Sequence, residues 1–316
     1  MTGRMDDLEA SLTRAGCSVR LAEPLSRHTS MAVGGPADLF VSVPDAAALA
    51  AVVRLLKARS VRRMVIGRGT NLVPSDLGFR GAVVRLEGGF ATTGFDGTGV
   101  TAGAAAPLAG LVDEAAERGM GGLEFAAGIP GSVGGAVVCN AGTAEEWMGG
   151  LVVSATIVDD DGNQSEVPGS SLGFGYRTSS LKGSTAVLAR ARLGLTERPP
   201  EEVRARVGKV RESRRGQPVD LPNAGCAFRN PPGDHAGRLI DAAGLKGFRA
   251  GGIEVSPRHA NFLVNRGGGR AADVLEAMRA ARERVWAATG ILLEPEVVVL
   301  DEEGRPVSLP VPVAKC

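Results

Sequence analysis

The sequence predicts an α/β protein, α+β in overall class, with two N-terminal α/β lobes followed by a C-terminal α/β domain. Three observations carry that expectation. Strand-like and helical segments alternate over residues 37–86, the order from which small α/β units are built. Two glycine-rich stretches, at 67–72 and 128–136, fall one on each of two successive units, as ligand loops at strand ends do. Near Thr196 the strands give way to Glu197-Arg198-Pro199-Pro200-Glu201-Glu202, and a boundary is set there. The expected segments are 1–88, 89–196 and 197–316.

Bulk composition narrows the function. A chain of 316 residues exceeds one small core, so two or three domains are expected. With 44% hydrophobic and 22% charged residues it reads as an ordinary globular protein. A net charge of +1 provides no global attraction to nucleic acid or acidic membranes, so an anionic ligand must be held by local groups. Aromatic residues, at 4%, are too few for platforms that stack bare bases. Residues 1–16 mix charges with apolar residues and lack the apolar core of a secretory signal. No run approaches the roughly 18 apolar residues needed to cross a bilayer. Cys17, Cys139, Cys226 and Cys316 lie far apart with no C-x-x-C pair, which argues against a metal site or a disulfide framework. A reducing cytoplasm is the expected setting, and a monomer the expected state.

The elements follow in order. Residues 37–43 form a strand ending at Pro44, and Asp45 caps a helix through Ser60 with Leu49, Val52, Val53 and Leu56 on one face. Strands at 63–67 and 81–86 flank the first glycine loop. A strand at 99–103 and a helix at 107–118, closed by Gly119, lead to the second loop. Apolar runs at 151–158 and 186–195 read as long strands, with Asp160-Asp161-Gly162-Asn163 as turn residues between them. A basic helix ends at Gly216, facing solvent or substrate phosphates. Helices at 235–243 and 271–289 and strands at 261–264 and 291–300 complete the chain.

Three motifs carry chemistry. Gly67-Arg68-Gly69-Thr70-Asn71-Leu72 lacks the third glycine of the dinucleotide fingerprint and the Lys of a P-loop. It is either a backbone cradle for a pyrophosphate or an ordinary tight turn. Gly128-Ile129-Pro130-Gly131-Ser132-Val133-Gly134-Gly135 could open a helix whose N–H groups face an anion; two independent turns are the alternative. Cys226, in Asn223-Ala224-Gly225-Cys226-Ala227-Phe228-Arg229-Asn230, sits among small residues rather than in an apolar run. Nucleophile, ligand, acid and inert residue are all open on sequence.

These pieces occur in a telling order. Thr29-Ser30-Met31-Ala32-Val33-Gly34-Gly35-Pro36-Ala37, the two glycine loops, Asn140-Ala141-Gly142, Gly175-Tyr176-Arg177-Thr178-Ser179-Ser180, the Cys226 segment, Gly237-Arg238-Leu239-Ile240, Gly244-Leu245-Lys246-Gly247, His259-Ala260-Asn261 and Leu293-Glu294-Pro295-Glu296-Val297 run from Thr29 to Val297, nearly the whole chain. In that order they resemble the UDP-N-acetylmuramate dehydrogenase family, also called UDP-N-acetylenolpyruvoylglucosamine reductases. The resemblance is to the shorter branch, without an extra substrate-covering insertion.

The resemblance implies a flavoenzyme of peptidoglycan synthesis whose N-terminal lobes hold FAD and whose C-terminal domain holds substrate. NADPH is the implied hydride donor, and the implied small-molecule partner is the enolpyruvyl ether of UDP-N-acetylglucosamine. Hydride addition to that ether develops charge on the carbon bearing the carboxylate, which fixed cations must stabilise and an acid must protonate. By family position Arg177 is the expected arginine and Glu296 the expected glutamate, with Glu294 as fallback. Cys226 stands where most relatives carry a serine acid. A thiol, with an ordinary pKa near 8.5, gives up its proton more readily than an alcohol. The implied flavin contacts are Gly67, Arg68, Gly69, Thr70, Asn71 and Leu72 in the first loop. In the second they are Gly128, Ile129, Pro130, Gly131, Ser132, Gly134 and Gly135, with Asn140. Tyr176, Arg229, Asn230, Arg238, Lys246 and His259 are the candidates for substrate. No metal is implied. Two rivals stand beside this reading: another flavin oxidoreductase, tethering its flavin through His28 or Cys139, and a non-catalytic nucleotide-sugar-binding paralogue.

Overall fold

The computed structural model describes residues 2–143 and 145–312; Cys316, one of the four cysteines, lies outside them. The chain forms two compact units, and neither is a continuous segment. The first comprises Met1–Leu21, Leu39–Arg68 and Ala82–Arg215, the second Ala22–Asp38, Gly69–Gly81 and Gly216–Cys316.

In the first unit, Asp45 accepts a hydrogen bond from the Ala48 amide at 2.9 Å and starts the helix Ala46–Ala58. That contact satisfies one of the orphan donors of the first turn. Leu49, Val52, Val53 and Leu56 are buried as the periodicity predicts. A five-stranded antiparallel sheet runs in the order Gln164–Pro168, Val152–Val158, Val187–Gly194, Gly99–Gly103, Thr93–Asp96. Sequence did not signal its edge strand Gln164–Pro168, because both faces are largely solvated and no apolar alternation marks it. The turn residues before it close a hairpin onto Val152–Val158. Another sheet, of four strands, has the order Ser18–Pro24, Pro36–Val43, Phe79–Leu86, Arg63–Ile66, with the last two parallel.

The helix Pro200–Ser213 belongs to this unit, packing on Leu108–Glu117 with Val203 and Val207 buried. The division therefore falls at 215/216 rather than at the expected 196/197, and none falls at 88/89. Its three arginines are paired. Arg211 pairs with Asp113 at 2.5 Å, Arg204 with Glu117, and Arg206 with Glu124 and Glu146. They neutralise acidic residues of their own unit instead of forming a phosphate-binding face.

The second unit is built on the antiparallel order Asn223–Cys226, Phe262–Asn265, Ile253–Val255, Arg249–Ala250. The helix Ala271–Thr289 buries Val274, Ala277, Met278, Ala281 and Val285 in the core of this unit. Two distant segments join it for stated reasons. Asp76 accepts from the amides of Ala271 and Ala272 at 2.7 and 3.1 Å, capping that helix. Asn265 donates to the Met31 carbonyl at 3.0 Å, and Met31, Val33 and Val73 enter the same core. The expected strand at 291–300 reduces to Val298–Val299, parallel to Leu72–Val73. Glu294 and Glu296 both precede this strand, with Glu294 exposed and Glu296 half-buried. No helix among the described residues is long and apolar enough to cross a membrane.

Candidate active site

Within the second unit, hydrogen bonds assemble four stretches that are remote in sequence. The Ser30 amide donates to the Gly69 carbonyl at 3.1 Å. Its hydroxyl donates to the Asn223 carbonyl at 2.5 Å, with the Gly69 carbonyl a longer neighbour at 3.3 Å. Asn71 Nδ2 donates to the Glu296 carbonyl at 3.2 Å. The Glu296 amide donates to the Ala227 carbonyl at 2.9 Å. The result is a closed circuit: glycine loop, Glu296 segment, Cys226 strand, Ser30, and back to the loop.

The Cys226 strand is bulged between Asn223 and Cys226. Gly225 has φ +79°, a conformation that favours glycine, and its amide donates to Asn223 Oδ1 at 2.9 Å. Asn223 Nδ2 anchors the turn before it through the carbonyls of Pro218 and Leu221. Cys226 is half-buried and forms no disulfide. Asn261 locks Phe228, two positions on, accepting from its amide at 2.9 Å and donating to its carbonyl at 2.8 Å. Cys226 and Glu296, both half-buried, thus lie on segments joined by a backbone hydrogen bond.

In the first unit, Asn140 organises the Tyr176-Arg177 turn. It adopts φ +45°, donates to the Gly175 carbonyl at 2.7 Å and accepts from the Gly149 amide at 2.8 Å. Its side chain thereby ties the Gly149 and Gly175 backbones together. Arg177 also has positive φ, +57°, and donates to the Gly142 carbonyl at 2.8 Å. Its guanidinium lies 5.5 Å from the ring centroid of half-exposed Tyr176.

Sequence and structure comparisons decide the family. Residues 217–300 match the model described as UDP-N-acetylenolpyruvoylglucosamine reductase, C-terminal domain, and residues 37–167 match an FAD binding domain. UDP-N-acetylenolpyruvoylglucosamine reductase 2 of Symbiobacterium thermophilum is 43% identical over 293 residues, 92% of this chain and 94% of the relative. The chain belongs to the UDP-N-acetylenolpyruvoylglucosamine reductase family. The Heliobacterium modesticaldum reductase is 44% identical over 284 residues, 89% of this chain and 90% of that one. Among solved structures, UDP-N-acetylenolpyruvylglucosamine reductase from Thermus caldophilus superposes with TM-score 0.78 at 41% identity, covering 90% of this chain and 98% of that one. As a member of this reductase family the protein is an FAD-dependent oxidoreductase acting on the enolpyruvyl ether of UDP-N-acetylglucosamine.

The glycine loops of this reductase fit a flavin diphosphate by their backbones. In the first, the amides of Gly69 and Asn71 find no acceptor among the described residues. Gly69, at φ +61°, approaches so closely that a Cβ would stand 2.2 Å from the His28 carbonyl oxygen. Gly67, which opens the same loop, is as tight: a Cβ there would stand 2.6 Å from Ser132 Oγ of the second loop. The anion site expected at the helix opening differs in detail. The helix Val133–Val138 has only six residues, and its first amides are engaged. Val133 donates to Ala106, Gly134 to Ala104, and Gly135 to Ser132 Oγ. The amides of Gly131 and Ser132, just before it, find no acceptor among the described residues. The amides left to face an anion thus precede the helix rather than open it.

The substrate candidates divide. Arg229 is partly buried and lies 3.8 Å from Glu294. Asn230 Oδ1 accepts from the Ala236 amide at 3.0 Å, capping the helix Ala236–Ala242. Arg238 is bidentate on Asp234, and Lys246 pairs with Asp241 at 2.6 Å. The His259 ring accepts from the Asn261 amide at 3.3 Å, meets the Phe262 ring edge-on, and is held below the usual histidine pKa by burial. Asn230, Arg238, Lys246 and His259 therefore have local structural partners. His28, the rival's flavin tether, has its ring on buried Glu23 at 2.9 Å. A cavity of about 270 Å³ over Thr101, Ser154, Thr156, Glu166, Arg190 and Arg192 carries none of the expected site residues. No cluster of three or more metal-ligating side chains occurs among the described residues. Sequence reading quoted Ser30, Asn223 and Asn261 in motifs without giving them roles; the only available signal was a polar residue embedded in each.

Proposed function

We propose that this chain uses NADPH to drive reduction of the enolpyruvyl ether to UDP-N-acetylmuramate, with Arg177, Cys226 and Glu296 as its chemical groups. The observation that carries this reading is the hydrogen-bonded circuit joining the Gly69 loop, the Cys226 strand and the Glu296 segment. Bound FAD supplies the hydride. The Arg177 guanidinium grips the substrate carboxylate through paired N–H donors and stabilises the charge that develops beside it. The Cys226 thiol transfers its proton to the carbanionic carbon, breaking S–H and forming C–H. The resulting thiolate is reprotonated by water, with Glu296 holding the shared proton at the carboxyl end of the enolate.

Tyr176 and Arg229 contribute to substrate binding in this reading. Asn140, Asn230, Arg238, Lys246 and His259 act as scaffold. The protein works as a cytoplasmic monomer. Cys226→Ala and Cys226→Ser test the acid: Ala blocks turnover while Ser retains it. Equal, undiminished rates in both variants reject the thiol as donor. Purified protein that neither carries FAD nor takes it up would reject the whole reading.

A further inference from the structure

Ser30 has no part in the chemistry above, yet this residue links the Gly69 loop, through its amide, to the Cys226 strand, through its hydroxyl. We propose that Ser30 is a positioning residue for the proton donor, holding the bulged strand of Cys226 at a fixed distance from the glycine loop. The proposal rests on the reading of Cys226 as the acid.

A serine hydroxyl has a single proton to donate. The two oxygens near Ser30 Oγ are not equivalent: Asn223 O lies at 2.5 Å and Gly69 O at 3.3 Å. Only the first is within the normal O–H···O range, so the hydroxyl proton goes to Asn223. The Ser30 amide independently serves Gly69 at 3.1 Å. One residue therefore supplies one donor to each stretch, across 193 residues of sequence on the Asn223 side.

The position matters because regular pairing lapses there. Register shifts between the Asn223–Val264 and Cys226–Phe262 pairs, and Gly225 is in the left-handed region. Within this irregular stretch the Ser30 hydroxyl fixes the carbonyl three residues before the thiol. Gly225 in turn faces the first loop, where a Cβ would stand 4.0 Å from the Thr70 carbonyl oxygen. Removing the hydroxyl releases this side of the strand while leaving the amide contact and both loops' backbones intact. A misplaced donor lowers the rate of proton delivery steeply, since displacement of about 1 Å costs on the order of 100-fold.

The test separates the two half-reactions under anaerobic conditions. Ser30→Ala is expected to retain FAD and to be reduced by NADPH within about threefold of wild type, while reoxidation by the enolpyruvyl substrate slows at least about tenfold. Ser30→Thr, which restores the hydroxyl, is expected to recover reoxidation to within about threefold. Reoxidation of Ser30→Ala at the wild-type rate overturns the proposal. Slow wild-type reoxidation would instead reject the proposed reaction itself. A flavin-independent readout is alkylation of Cys226 by iodoacetamide on the full chain without added FAD, followed by mass spectrometry and referenced to Cys139. Ser30→Ala is expected to change that ratio at least about threefold and Ser30→Thr to leave it near wild type. An identical ratio in all three proteins overturns the proposal even if the Ala variant fails to hold flavin.

Discussion

The Glu296 amide donates to the Ala227 carbonyl at 2.9 Å, which fixes the glutamate's backbone to the residue that follows Cys226. That bond couples two groups 70 positions apart and leaves their side chains on adjacent segments. Glu296→Gln preserves the backbone contact and removes the carboxylate. Steady-state kinetics of this variant are expected to show kcat reduced about 10²–10⁴-fold, the usual scale for an acid–base group. Flavin content should be unchanged. A rate within twofold of wild type would remove Glu296 from the proton path.

Arg177 holds a left-handed backbone, φ +57°, through the Asn140-supported turn. Lysine keeps the charge but loses the planar pair of donors. Arg177→Lys is expected to lower kcat about 10²–10³-fold, the scale for losing one stabilising donor of a developing anion. Reduction of the flavin by NADPH should be little affected. The comparison of the two half-reactions checks this directly.

Gly69 sits at φ +61° against the His28 carbonyl. Alanine there meets backbone at 2.2 Å and also incurs about 1–2 kcal/mol of left-handed strain. Gly69→Ala is expected to emerge from purification with less than half the wild-type flavin, measured by absorbance. Gly94→Ala, where nothing lies within 4 Å of the added carbon, should retain it fully.

Burial, reinforced by nearby Asp45, pushes the Cys17 thiol from 9.0 up to about 11. The folded state therefore favours the neutral thiol. Its stabilising contribution is complete below about pH 9 and is lost as pH rises toward 11, about 2–3 kcal/mol in all. Urea denaturation between pH 8 and 11 is expected to show wild type losing stability faster than Cys17→Ala. Parallel curves would contradict the assignment.

Local signals explain which parts of this molecule were legible. Asp45 and the 3.6-residue spacing of Leu49, Val52, Val53 and Leu56 describe one helix completely because cap and buried face are both local. The strand Gln164–Pro168 escaped notice because its residues are solvated and its partner supplies the order. The division of the chain was harder still. Residues 22–38 and 69–81 join the second unit through Asn265–Met31 and Asp76–Ala271 contacts, which no contiguous window contains. At the site, family order marked Arg177, Cys226 and Glu296, whereas the side chains that hold the last two in register, Ser30 and Asn71, act on backbone carbonyls. Carbonyl acceptors carry no sequence identity. For the same reason the bonds of Asn140 to the Gly149 amide and the Gly175 carbonyl carry no mark in the sequence.

The most direct measurement is a single anaerobic turnover in which the flavin is bleached with NADPH and the enolpyruvyl nucleotide sugar is then added. The account predicts rapid return of the oxidised flavin spectrum in wild type and in Cys226→Ser, with a slow return in Cys226→Ala. A flavin that stays bleached in wild type, or an alanine variant that reoxidises as fast as wild type, would contradict it.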